Sequence, residues 1–219
     1  MSLLALLAWG VVVALDLASI GQVMLSRPFV AGTVAGGILG DWSAGLAVGL
    51  VLELFALDVL PVGAARYPDY GPAAVVAAAA AAGAPGLLGT GVALAVGLLV
   101  AWAGEASITV VRRLNSADAR RHAAALDAGD PSAVTGLQVR GMARDAARGL
   151  VLTAGGLVLA WAARSWPLVS VRGAVVLTAV IVAGGLSSAA RGAWRLAGHG
   201  VNAAWVGVGL AAGLAWVMR

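Results

Sequence analysis

Cysteine and lysine are both absent from the 219-residue chain, and only 11% of its residues are charged. The absence of cysteine excludes disulfide bonds, Cys-ligated metals and thiol catalysis. All 14 basic residues are therefore arginine, which we interpret as the codon bias of a GC-rich bacterial genome. The sequence has no basic stripe with interleaved aromatic residues, so a nucleic-acid partner is not expected.

The motifs of common soluble enzymes are also missing. The sequence contains no Ser-His-Asp order, P-loop or dinucleotide fingerprint. Its two histidines, His122 and His199, lack the spaced carboxylates that a metal site requires. We therefore expect no catalytic residue, no metal and no cofactor.

Apolar residues dominate the composition of the chain. They make up 61% of the chain, which is more than a soluble domain of this length can bury, so the composition predicts an all-α polytopic membrane protein. The N-terminus lacks a positive n-region and a convincing cleavage site. It therefore predicts a retained membrane helix over residues 3–24 rather than a signal peptide.

A helix needs about 20 apolar residues to cross a bilayer, and on this measure the chain has about six to eight membrane segments, including re-entrant hairpins. Residues 28–60 are broken at Gly40-Asp41, which favours a hairpin of two short helices over two tilted spans. The other expected segments are a Pro/Gly-rich loop over 61–72, a short Ala-rich run over 73–83, and spans over 87–111, 149–163, 171–190 and 200–217.

Half of the arginines lie between residues 112 and 148. Arginine is enriched in cytoplasmic loops, so 112–148 is expected to be a cytoplasmic loop that separates an N-terminal membrane portion, 1–111, from a C-terminal one, 149–219. Residues 134–149 also have the pattern of an amphipathic helix lying on the membrane surface, with its arginines at the lipid headgroups. The residues expected to face lipid are Val134, Leu137, Met142 and Ala146.

Ionisable residues interrupt the apolar segment 26–72, at Arg27, Asp41, Glu53, Asp58, Arg66 and Asp69. Each costs about 2.5–3.5 kcal/mol at membrane depth, and such residues usually mark a pathway or a binding site. The Gly and Pro residues around them favour broken or re-entrant helices, which are tolerated only where protein or a water-filled cavity satisfies the backbone. The segment therefore predicts a transport site rather than a simple anchor.

Glu53 follows Gly45 and Gly49 at four-residue spacing, on one face of a helix. Small residues at this spacing let helices pack closely in lipid. A carboxylate on such a face needs hydrogen-bond donors, because lipid supplies none. Glu53 is thus expected either to bind a hydroxyl-rich ligand or to form an ion pair with Arg27 or Arg66.

The aspartates allow structural as well as functional roles. Asp69 either caps the 73–83 helix or is directed at a substrate by a loop that dips into the membrane. Asp41 is expected to cap the helix that carries Glu53. Asp16 is expected to line a polar cavity or to pair with an arginine, and Asp58 has no evident role.

The order of these motifs resembles a known family. The motifs are Arg27-Pro28, Gly-x-x-x-Gly-x-x-x-Gly-Asp over 32–41, Gly-x-x-x-Glu-Leu over 49–54, Val62-Gly63-Ala64-Ala65 and Pro68-Asp69. They are similar to the IIC component of mannose/fructose/sorbose-type phosphotransferase systems. The resemblance implies a multi-pass sugar permease subunit of the bacterial inner membrane, which is not catalytic alone.

The resemblance also implies partners and a mechanism. A IID membrane subunit would work beside this chain, and cytoplasmic IIA and IIB proteins would relay phosphate from phosphoenolpyruvate to the incoming hexose or related sugar. Re-entrant hairpins would carry the sugar in an elevator-like motion, within a trimer of IIC–IID pairs embedded in lipid. By position, the implied sugar-binding residues are Glu53, Asp69, Arg27 and the backbone around Gly63 and Ala64. Trp42 is expected to be an interfacial anchor, with stacking on the sugar ring as the alternative.

Two departures from the family pattern keep an alternative function open. Asp58 stands where the family usually has glycine, and the region after Gly184-Gly185 supplies about one membrane element fewer than is usual. The alternative is a non-transporting regulatory or docking subunit of an incomplete phosphotransferase system. In that case the 112–148 segment would recruit the soluble partner.

Overall fold

The computed structural model describes residues 1–59, 65–83, 86–165 and 170–197, together with 205, 208 and 209. Within these ranges the regular structure is entirely α-helical. The helices are α1 (Ser2–Ala18), α2 (Pro28–Ile38), α3 (Trp42–Ala56), α4 (Tyr70–Ala81), α5 (Gly86–Arg121), α6 (Ala123–Asp127), α7 (Pro131–Ser165) and α8 (Val171–Ala197).

The helices that are able to span a membrane are longer than the helices of the hairpin. Three helices of the described chain are long and apolar enough to cross a membrane, over Gly89–Arg121, Pro131–Ala163 and Arg172–Arg195. The apolar helices α1 to α4 are shorter, and α2 has only 11 residues. At 1.5 Å per residue, α2 is about 16 Å long, roughly half the hydrocarbon thickness. The predicted all-α membrane fold is confirmed.

The hairpin of α2 and α3 follows from local sequence. Pro28 begins α2, where its missing N–H costs nothing. Gly40 has a φ of +79°, which favours glycine, and the Asp41 carboxylate then accepts a hydrogen bond from the Ala44 amide at 3.1 Å. The predicted break at Gly40-Asp41 and the predicted cap are both present. The two helices pack backbone to backbone, because a Cβ atom on Gly36 would lie 2.8 Å from the Gly45 Cα.

Helix α4 forms the centre of the protein. Ten of its 12 residues are buried, and most are alanine or valine. It packs against α1, α2, α3, α5 and α7. A helix that is apolar all round is suited to such a position, since it has no polar face to expose. The Ala-rich run predicted over 73–83 is therefore a core helix rather than a span.

Helix α1 ends at Ala18, not at residue 24 as predicted. The buried Asp16 carboxylate accepts hydrogen bonds from the amides of Val23 and Ser26, both at 2.8 Å. These bonds pull the chain into a tight loop, in which Gly21 and Gln22 have positive φ. The hydrogen-bonding partners of Asp16 are thus backbone amides of this loop.

The segment 112–148 differs from the predicted loop, because it is mostly helical. Helix α5 continues to Arg121, and α7 runs unbroken from Pro131 to Ser165. Residues 134–149 are therefore the first half of a long helix, not a separate helix on the membrane surface. Arg140 and Arg144 lie 3.4 Å and 2.5 Å from Asp118 of α5 rather than pointing to headgroups, because the carboxylate pairs with them. The predicted spans 87–111 and 149–163 are parts of these helices, and 200–217 lies outside the described residues except for 205, 208 and 209.

The start of α7 is set by Asp130. Its carboxylate accepts a hydrogen bond from the Ser132 amide at 2.8 Å, immediately before Pro131 opens the helix. Hydrogen bonds from the Ser132 side chain and amide hold the pKa of Asp130 below its usual value. The helix thus begins with a cap and a proline, as is common for N-termini.

The close approach of α2 and α3 predicts a large cost for any side chain at Gly45. A Cβ atom there would lie 2.8 Å from the Gly36 Cα, so Gly45→Ala should lower the free energy of unfolding by about 1–3 kcal/mol. The measurement is thermal unfolding in detergent, followed by circular dichroism. The matched control is Gly155→Ala in α7, where no other atom lies within 4 Å and alanine is the better helix former. Equal melting temperatures for the two variants would contradict the tight helix contact.

Candidate functional site

Glu53 of α3 is paired with Arg27, the residue that precedes α2. The guanidinium of Arg27 donates to one Glu53 oxygen, and the Phe29 amide donates to the other at 3.3 Å. Glu53 therefore holds Arg27 and satisfies one of the free amides at the start of α2. Of the alternatives for Glu53, the structure contains the ion pair with Arg27.

A cavity of about 400 Å³ lies beside this pair. Its walls come from the end of α1, the loop that follows, the start of α2, the end of α3 and residues 67–71. Its polar lining includes Arg27, Gln22, Ser26, Tyr70 and Asp16, for which a place in the lining of a polar cavity was one of the two predicted roles. Glu53 does not line the cavity. It instead positions Arg27, which does.

Asp69 is the N-cap of α4, and its side chain is fully buried. One carboxylate oxygen accepts a hydrogen bond from the Gly71 amide at 3.3 Å. The other lies 2.5 Å from Nη1 of Arg148 in α7. Gly104 permits this approach, because a Cβ atom there would be 2.5 Å from the Asp69 Cβ. The cap expected for Asp69 is present, and its carboxylate is already occupied by Arg148.

Arg148 extends the Asp69 pair into a buried network. Its Nε lies 3.3 Å from Asp145, one turn earlier in α7, and Asp145 accepts a hydrogen bond from the Ser19 hydroxyl. The network joins α4, α7 and the loop after α1. The prediction that Arg148 lies at lipid headgroups was wrong. Its spacing of three residues from Asp145 was the only signal in the sequence that it forms an ion pair.

A second cavity, of about 390 Å³, adjoins the cavity beside Arg27. Leu17, Ala18 and Tyr67 line both cavities and so form the partition between them. The polar lining of the second cavity includes Asn115, Gln138, Arg112, Arg144 and Asp145. Two cavities with polar side chains in their lining thus adjoin each other.

Asp58 is an attachment point between α3 and α8. Its carboxylate lies 3.1 Å from Arg195 and 3.4 Å from Arg191, and it accepts a hydrogen bond from Ser188 at 3.3 Å. Gly192 permits the approach, since a Cβ atom there would be 2.9 Å from the Asp58 Cα. This role was missed, because partners so distant in sequence leave no local signal.

Trp42 is the remaining predicted residue that the structure describes. Gly63 and Ala64 lie outside the described residues. Trp42 lines neither cavity, and its indole packs on Gly37 while 59% of the residue remains exposed. Among the predicted substrate-binding residues that the structure describes, Arg27 is therefore the one that lines a cavity.

Short hairpin helices and long apolar spans around polar cavities define a helical membrane protein with a transporter fold. The chain belongs to the family described as the PTS system sorbose-specific IIC component, which it matches over residues 1–193. The family resemblance of residues 26–72 is thereby confirmed. Membership also makes the chain a membrane protein of the phosphotransferase IIC permease family.

Individual relatives align with part of the chain. It is 32% identical over 122 residues to the mannose-specific EIIC component of Escherichia coli (strain K12), which covers 56% of this chain and 45% of that protein. It is 41% identical over 88 residues to the fructose permease IIC component of Bacillus subtilis (strain 168), covering 40% of this chain and 32% of the relative. The aligned region thus spans less than half the length of these curated relatives.

Solved structures share the fold. A structure described as a membrane protein aligns with a TM-score of 0.63 and 20% identity, over 98% of this chain and 96% of the other. A chain of the cryo-EM structure of the mannose transporter ManYZ in complex with microcin E492 aligns with a TM-score of 0.55 and 23% identity, over 95% of this chain and 86% of that one. At these identities the likeness shows the fold alone.

The buried Asp69–Arg148 pair predicts a strong effect of breaking it. Arg148→Gln should lower the free energy of unfolding by about 3–5 kcal/mol, because it leaves the buried Asp69 carboxylate without a cation, and Asp69→Asn should cost less, because Arg148 keeps Asp145. The double variant should cost less than the sum of the two, as measured by thermal or denaturant unfolding in detergent. The control is Arg121→Gln, which removes an exposed arginine 3.8 Å from Asp118 and should leave the melting temperature nearly unchanged. If the losses of unfolding free energy caused by the two single substitutions add up to that of the double variant, Asp69 and Arg148 are not coupled.

Proposed function

We propose that this chain is the sugar-translocating IIC subunit of a phosphoenolpyruvate-dependent sugar phosphotransferase system of the mannose type. The observation that carries the proposal is the pair of adjoining cavities, which contain polar side chains and share Leu17, Ala18 and Tyr67 as lining residues. An intramembrane cavity with polar lining is the expected surrounding of a hydrophilic solute. Family membership supports a sugar as that solute.

The cavity beside Arg27 has the size and chemistry of a sugar site. Its volume of about 400 Å³ falls in the usual range for small-molecule sites. The guanidinium of Arg27 and the side chains of Gln22 and Ser26 supply hydrogen-bond donors for sugar hydroxyls, and Gln22 and Ser26 also supply acceptors. Tyr70 provides an apolar ring with a polar tip, which suits the mixed surface of a sugar.

The proposed role of Glu53 and Asp69 is to position the sugar site rather than to contact the sugar. Glu53 fixes the guanidinium of Arg27 at the cavity wall. Asp69 fixes the start of α4, and its neighbours Pro68 and Tyr70 line the same cavity. Asp16 shapes the opposite wall through its bonds to Val23 and Ser26. A site held in this way by buried charges is preorganised for its ligand.

Passage between the two cavities requires the partition to open. Tyr67 is held there by Arg112, whose guanidinium lies 5.4 Å from the centre of its ring. In the proposed elevator-like motion, α2 and α3 move relative to the long helices, so that the sugar reaches the second cavity. The Arg-rich end of that cavity would face the cytoplasm, following the positive-inside rule.

We infer that a IID subunit completes the transporter in the bacterial inner membrane, with cytoplasmic IIA and IIB proteins supplying phosphate and IIC–IID pairs arranged as trimers. The fold likeness to a chain of the mannose transporter ManYZ supports the IID partner. Exposed apolar residues on α7, including Val151, Val158 and Trp161, offer a surface for lipid or for such a subunit. The chain itself would bind the sugar without catalysing phosphoryl transfer.

Uptake measurements with the whole system test the proposal. Glu53→Gln should reduce uptake at least tenfold, because it frees Arg27 from its place at the cavity wall. Radiolabelled mannose, fructose and sorbose should be tested in cells that express this chain with its IID, IIA and IIB partners. Asp127→Asn, in the exposed helix α6, is the matched loss of a carboxylate and should retain uptake. Melting temperatures of the purified variants separate a lost site from a lost fold.

Two outcomes would count against sugar translocation. Full uptake by both Glu53→Gln and Arg27→Gln would show that the cavity beside Arg27 is not the sugar site. No uptake of any sugar by the unmodified complex, together with capture of a soluble phosphocarrier by this chain, would instead support the regulatory or docking role.

A further inference from the structure

A third cavity, of about 420 Å³, opens at the arginine-rich end of α5. The residues of α5 that line this cavity lie three, four, seven and eleven positions after Thr109, so they share one face of the helix. Arg66 lines the cavity from the segment before α4. The lining residues are Arg66, Thr109, Arg112, Arg113, Ser116 and Arg120. We refer to this cavity as the arginine cleft.

In the described part of the chain, the arginines of the cleft have no ion-pair partner. Within the described ranges, no carboxylate lies within 4.0 Å of Arg66, Arg113 or Arg120. Residues 60–64 also contain no acidic side chain in the sequence. By contrast, arginines on the neighbouring face converge on Asp118, namely Arg121, Arg140 and Arg144. Four like charges around one cavity repel one another unless an anion enters.

One wall of the cleft is fixed before any ligand binds. Arg112 donates hydrogen bonds to the Ala65 carbonyl oxygen at 2.7 Å and to the Tyr67 hydroxyl at 3.4 Å. These contacts hold the segment that carries Arg66 against α5. Thr109 donates to the Glu105 carbonyl oxygen at 3.2 Å, so Ser116 is the hydroxyl that remains to serve a ligand. A wall ordered in advance reduces the entropy lost on binding.

We propose that the arginine cleft binds a phosphate group. Planar guanidinium groups match the oxygens of phosphate through paired N–H donors, and several positive charges around one cavity favour an anion. The volume of about 420 Å³ accommodates a phosphate together with an attached small molecule. The group is either a soluble phosphomonoester or the headgroup of an anionic phospholipid, and both share this chemistry. The proposal does not depend on sugar translocation.

Binding to the purified full chain distinguishes the two sources. In nanodiscs of zwitterionic phosphatidylcholine, titration calorimetry measures the affinity for mannose 6-phosphate and inorganic phosphate, with mannose as the uncharged control. In nanodiscs that contain phosphatidylglycerol, native mass spectrometry counts the anionic lipids that stay bound. Arg113→Gln and Arg120→Gln should each weaken binding roughly tenfold, because each removes charge-assisted hydrogen bonds. Raising the salt concentration should weaken binding further.

Arg121→Gln is the matched control, since it removes the same charge from the adjacent position of α5 but lies outside the cleft. It should change the affinity less than twofold. Variant-dependent binding of mannose 6-phosphate or inorganic phosphate supports a soluble phosphate, and variant-dependent retention of phosphatidylglycerol alone supports a headgroup. Equal weakening by Arg121→Gln, or no difference between the variants and the native chain with either probe, would overturn the proposal. Melting temperatures verify that each variant is folded.

Discussion

The ion pair between Asp69 and Arg148 is the constraint on which the architecture depends. Both side chains are almost fully buried, at 0% and 3% exposure. Neither charge is tolerable there alone, since an unpaired buried ion costs several kcal/mol. The pair therefore fixes the start of the core helix α4 against α7. It also places Tyr67, two residues before Asp69, as the wall between the two polar cavities.

Features encoded by neighbouring residues were predictable from the sequence. Pro28, the Gly40-Asp41 pair and the glycines of α2 and α3 specify the hairpin, because a helix start, a left-handed turn and a cap depend on a few adjacent residues. The same holds for the cap at Asp69 and for the family motifs of residues 26–72. The site was predicted in part, since Glu53 and Arg27 were named both as an ion pair and as ligand candidates.

Features that depend on distant partners were not predictable. Asp58 meets Arg191 and Arg195 only through the packing of α3 on α8. The arginines of 112–148 have the periodicity of a surface helix, and nothing along that pattern indicates that Arg140 and Arg144 pair with Asp118 of α5. Hydropathy also extended α1 to residue 24, although the Asp16 carboxylate ends it by binding the amides of the following loop. A pattern along one helix gives the spacing of its charges but not the element that they will face.

The ion pairs of Asp58 attach α3 to α8, and the ion pair of Asp69 attaches α4 to α7. The two attachments differ in strength. Arg191 and Arg195 are more than half exposed, so water readily replaces them if α3 separates from α8. Separation of α4 from α7 would instead break a fully buried ion pair, leaving Asp69 with only the Gly71 amide and Arg148 with only Asp145. The contact between α3 and α8 therefore costs less free energy to break than the contact between α4 and α7. We expect α3 to separate from α8 before α4 separates from α7.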